Sequence, residues 1–88
     1  MNITDIARIH IFVGEAWPHS DKPVDDDRLA LQLEIWSEVL DGLEFDETRE
    51  AVVKLMKEGR EFAPPVGVIR KKALEARNVL DDLYKVRM

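Results

Sequence analysis

Three consecutive aspartates, Asp25-Asp26-Asp27, form the densest group of metal-ligand side chains in the sequence. Hard divalent cations take carboxylate oxygens, but a calcium loop also needs a central glycine and a terminal glutamate, which this stretch lacks. The same run suits the start of a helix, where side-chain oxygens accept from free N–H groups and negative charge meets the positive dipole end. His10 and His19 are the only imidazoles, and neither has a partner at ligand spacing. Ser20 and Ser37 lack the base and orienting group that an activated hydroxyl requires. There is no cysteine, and Gly14, Gly42, Gly59 and Gly67 stand alone, so neither a thiol nor a phosphate-cradling loop is available. The expectation is a protein without catalytic residues, metal or cofactor.

The remaining chemistry is charge. Arg70, Lys71, Lys72 and Arg77 fall within one short stretch near the end of the chain. Such a cluster is either a solvated helix face, paired in part with acidic neighbours, or a contact for a partner. Arg70, Lys71 and Arg77, with Tyr84 at the apolar end of the same segment, are the candidate partner-binding residues. Insertion into a DNA groove is disfavoured by the preceding joint, "EGREFAPPVG", which exceeds the 3–4-residue turn of a helix-turn-helix.

Charge is unevenly distributed along the 88 residues, whose net charge is -5. Residues 1–65 hold seven Lys/Arg and fifteen Asp/Glu, a balance of -8, and residues 66–88 hold six and three, a balance of +3. An acidic body argues against duplex binding by the whole domain, because phosphate contacts need a positive surface. The length predicts one domain over 1–88, with an end at 78–88 that projects from the body. The first residues lack the basic region of a secretory signal, and no apolar run reaches the roughly 18 residues of a membrane span. A soluble, cytoplasmic protein with no membrane partner is expected.

Apolar spacing predicts an all-α, compact four-helix domain with a long C-terminal helix. Thr4 is the expected cap of the first helix, whose stripe is Ile6, Ile9 and Val13, widened by Ala7, Phe12 and Ala16. Trp17-Pro18 closes it, and "PHSDKP" (18–23) reads as a loop. The second helix carries Leu29, Leu33, Trp36 and Leu40 on one stripe and Leu31, Ile35 and Val39 on another. Two apolar faces predict a central helix with Trp36 buried. A third helix is expected from Asp46 to Glu58, with Phe45 packing just before it and Ala51, Val52, Leu55 and Met56 buried. Pro64-Pro65 fixes the direction of the fourth, whose seam is Val66, Ile69, Ala73, Ala76, Leu80 and Leu83. That seam packs on the domain itself or on a second copy, giving a homodimer.

The order of these features resembles the phage and prophage replicative helicase loader/inhibitor family. The matching residues are Trp36 and Leu40 in one helix, Phe45 ahead of an Ala51-Val52 pair, Phe62 with Pro64, and Ile69 with Arg70. The resemblance covers about half the chain. It implies a small helical domain that binds the host's hexameric replicative helicase, delivers it to replication proteins or holds it inactive, and performs no catalysis itself. In that family the helicase contact is associated with the carboxyl-terminal part. Two other readings stay open: a DNA-binding regulator that dimerises through the last helix, and an adaptor with no nucleic-acid role.

Overall fold

The computed structural model describes residues 1–19 and 25–86, with side chains described up to Arg77. It is all-helical and compact: α1 (Ile3–Ala16), α2 (Asp26–Val39), α3 (Phe45–Lys57) and α4 (Val66–Val86). Among the described residues there is no strand. The Ile9–Val13 run therefore belongs to α1, where Ile9 and Val13 meet the core on one face and Ile11 points away.

Local chemistry sets the helix ends. Asn2, not Thr4, caps α1, its side-chain oxygen accepting from the Asp5 N–H at 2.8 Å. Asp25 caps α2 in the same way, accepting from the Arg28 N–H at 2.7 Å. The start of α3 is two residues earlier than Asp46 as cap would give: Glu44 precedes the helix, and its N–H donates to the Glu47 carboxylate at 2.8 Å. Phe45 is thus the first residue of α3 rather than a residue packed ahead of it. Gly42 and Gly59 follow α2 and α3 with φ of +83° and +78°. A side chain in that left-handed region costs roughly 1 kcal/mol, so both helices end where glycine permits the reversal.

The core gathers Ile6, Ile9 and Val13 from α1, Ala51, Val52 and Leu55 from α3, and Ile69 and Ala73 from α4, with Leu40 and Leu43 from the α2–α3 link. Thr48 is also fully buried, and its hydroxyl donates to the Glu44 carbonyl at 2.8 Å, so no polar atom is stranded. Arg49 lies 5.2 Å from the Phe12 ring centre and bridges α3 to α1. α3 packs on α1 and α4, while α2 lies against α1 and α4 and does not pack on α3.

Two expectations fail here. α2 is peripheral rather than central: none of its residues is buried, and Trp36 is only half-buried. Its two apolar stripes cannot both face a core when neighbours cover one side, so Leu31 and Ile35 remain 56% and 45% exposed. The deeply buried tryptophan is Trp17, 5% exposed, whose indole N–H donates to the Arg60 carbonyl at 2.9 Å. Met56, expected inside, sits 39% exposed at the end of α3.

The Pro-Pro joint has two unlike members. Pro64 is buried and Pro65 exposed. The Pro65 carbonyl accepts from Val68 at 3.0 Å and from Ile69 at 3.4 Å, opening α4. Pro64→Ala is expected to lower the thermal midpoint more than Pro65→Ala, because it removes packed ring atoms as well as backbone restriction. Equal shifts in a thermal melt would assign the joint's effect to chain stiffness alone.

Candidate functional site

The basic residues of α4 are positioned by the packing of Ile69 and Ala73, which turns Arg70, Lys72 and Arg77 toward neighbouring elements. Arg70 reaches across to the end of α2 and donates from Nη1 to the Val39 carbonyl at 2.8 Å and the Asp41 carbonyl at 2.9 Å. α2 has no basic residue in its own last turn, so this guanidinium supplies the positive charge its carbonyl end favours. Lys72 pairs with Glu58 just past α3. Arg77 pairs with Glu47 in the first turn of α3, and also donates to the Gly42 carbonyl at 3.3 Å. Lys71 is exposed. Of the four candidate partner-binding residues, three are therefore located: Arg70 and Arg77 bond within the chain, and Lys71 faces outward. The Tyr84 side chain lies outside the described residues.

The two ion pairs shift protonation in opposite directions. Partial burial pushes the Glu47 carboxyl up, but the Glu44 N–H and the Arg77 guanidinium outweigh it and hold the group below its ordinary value. For Lys72, the hydrogen bond with Glu58 raises the ammonium above its ordinary value, against a smaller opposing effect of desolvation. A depressed carboxylate stabilises the fold above its unfolded pKa, and that contribution is lost as pH falls through the folded value. Lowering the pH from 7 to 3 is thus expected to remove the Glu47 contribution, and Glu47→Gln should flatten that part of the stability–pH curve. For a pair this accessible the change is below about 1 kcal/mol. Urea melts across that range read it directly.

The three aspartates serve the start of α2, with Asp25 as cap and Asp26 and Asp27 in the first turn. His10 donates from Nε2 to the Gln32 side-chain oxygen at 2.7 Å and meets the Trp36 ring edge-on, 4.9 Å between centres. His10 thus joins α1 to α2, a role its sequence position did not signal. His19 lies at the mouth of a shallow cleft between the ends of α1 and α3, lined also by Trp17, Met56, Arg60 and Glu61. The cleft measures about 230 Å³, below the roughly 300–1,000 Å³ of small-molecule sites. Ser20 and most of the 18–23 loop lie outside the described residues. Ser37 is half-buried on α2.

The outer surface also carries large apolar side chains, of which Leu31 and Ile35 were expected to pack. Ile11 is 63% exposed and stands with Leu31 and Ile35 on the outside of the α1–α2 pair; Phe62 is 62% exposed at the α3–α4 joint. The signal for Leu31 and Ile35 was present in the second apolar stripe of α2, which a peripheral helix leaves uncovered. Among the described residues no helix is long and apolar enough to cross a membrane. The chain matches no protein-family model, no curated protein and no solved structure.

Proposed function

We propose that this chain is a non-enzymatic, replication-associated adaptor of phage type that binds a replicative DNA helicase as loader or inhibitor. The observation that carries a protein partner over a nucleic acid is the internal use of three of the α4 cations among the described residues. Arg70, Lys72 and Arg77 are bonded to α2, Glu58 and Glu47, leaving Lys71 as the outward cation of the set in an acidic molecule. Duplex DNA binding needs several phosphate contacts at once on a positive surface, which an acidic molecule with three α4 cations engaged internally does not favour. Exposed Ile11, Leu31, Ile35 and Phe62 are instead the kind of anchors that protein interfaces bury.

The helicase as partner comes from the order of Trp36, Leu40, Phe45, Ala51-Val52, Phe62, Pro64 and Ile69-Arg70. In this reading the last helix is long, its 78–88 end projects, and Lys71 and Tyr84 add to the helicase contact. Mixing the purified chain with the replicative helicase of its host should give a complex on size exclusion and change the helicase's unwinding rate. Duplex DNA should show no shift at 50 mM salt. A salt-sensitive DNA shift without helicase binding would replace the proposal with the DNA-regulator reading. Binding to neither would leave an adaptor for another process.

A further inference from the structure

We infer that the outer side of the α1–α2 seam is a docking surface for a basic amphipathic helix of a partner protein; this rests on the protein-binding reading above and names its surface and chemistry. The seam is registered by His10 against Gln32 and Trp36. Ile11 follows His10, and Leu31 and Ile35 precede Gln32 and Trp36. Each is one residue, about 100° of helix turn, farther from the core than its seam neighbour. The core side of the same seam is filled by Ile9 and Leu33, which pack inward. Three branched aliphatic side chains, 63%, 56% and 45% exposed, therefore flank one line on the surface.

The rim of this line is acidic. Glu15 lies one turn after Ile11, Asp27 one turn before Leu31, and Glu34 and Glu38 three residues after Leu31 and Ile35. All four are exposed, and none is ion-paired among the described residues, whereas Glu47 and Glu58 are. Arg8 and Arg28 are the only cations on α1 and α2. Unpaired carboxylates around apolar anchors repel one another and are relieved by a ligand that brings cations at the same spacing. A second copy does not fit, because a two-fold contact would oppose the two acidic rims. Anionic membranes and nucleic acids are disfavoured for the same reason. A helix with leucines at i, i+3, i+4 and i+7 and lysines beside them matches both features.

Two 18-residue synthetic helices of that leucine pattern, one flanked by lysines and one by glutamates, test the inference against isotope-labelled protein. The lysine peptide should shift amide resonances within 7–15 and 27–39, and the glutamate peptide should not. Ile35→Ser should weaken binding by about tenfold, the usual scale for one anchor. The double variant Glu34→Lys/Glu38→Lys should favour the glutamate peptide. Unchanged helicity and melting temperature in both variants confirm that folding is spared, as expected at exposed positions. Equal binding of the two peptides, no binding at millimolar concentration, or shifts centred on Met56 and Phe62 would overturn the inference. Helicase binding that survives Ile35→Ser would sink this surface alone, whereas peptide binding without helicase binding would sink the helicase reading alone.

Discussion

Trp17→Ala is expected to unfold the protein at ambient temperature or bring it close to doing so. The side chain is 5% exposed and belongs to the same core as Ile9, Val13 and Leu55. Its indole also ties the end of α1 to the Arg60 carbonyl, and so holds the segment leading to α4. Truncating a buried tryptophan costs about 3–5 kcal/mol, and small domains have roughly 5 kcal/mol or a little more in total. Trp36→Ala should cost less than half as much, because Trp36 is half-buried, packing on the core's margin and edge-on to His10. Circular dichroism melts of the two variants give the comparison. A reversed order would return α2 to the centre of the fold and remove the basis for an uncovered outer face.

The contrast between the tryptophans shows what the sequence could and could not say. Helix number, type and stops were legible, because capping side chains, glycine breaks and apolar spacing act locally: Asp25, Gly42, Gly59 and Pro65 lie where those rules put them. Depth was not. Trp17 stands beside a proline after the last α1 turn, and it is buried through tertiary packing and the approach of Arg60 from a distant segment. Leu31 and Ile35 carry the same apolar character as Leu33, and nothing in their spacing states which stripe a neighbour covers. The basic stretch was legible as a charged helix face. That two of its arginines would end on the carbonyls after α2 and on Glu47 depends on how α4 crosses the α2–α3 link. The separation of core from contact surface is thus a property of assembly, and it decides which charges are available to a partner.

Arg70→Met is expected to destabilise the fold by about 1.5–3 kcal/mol without touching the core. The substitution keeps much of the aliphatic stem and removes both guanidinium bonds, to Val39 at 2.8 Å and Asp41 at 2.9 Å. Charge-assisted bonds of this kind contribute about 1.5–3 kcal/mol each when fully formed. The Asp41 bond is solvent-exposed, so the pair together stays near the value of one. Arg70→Lys should recover only part of the loss, since Nζ ends one bond short of the Nη1 that serves both carbonyls. Lys71→Met, its neighbour, should stay within about 0.5 kcal/mol of the parent. Urea midpoints for the three variants, with hydrogen exchange at Leu40 and Leu43, separate these outcomes. The consequence reaches function: reversing the charge of Arg70 would detach the end of α2 and thereby disturb any contact made by Leu31 and Ile35. A binding defect in such a variant reports on α2 placement, whereas one in Lys71→Glu reports on α4 itself. If Arg70→Met leaves the midpoint unchanged, the guanidinium does not hold α2 in solution, and Arg70 returns to the set of charges a partner can engage.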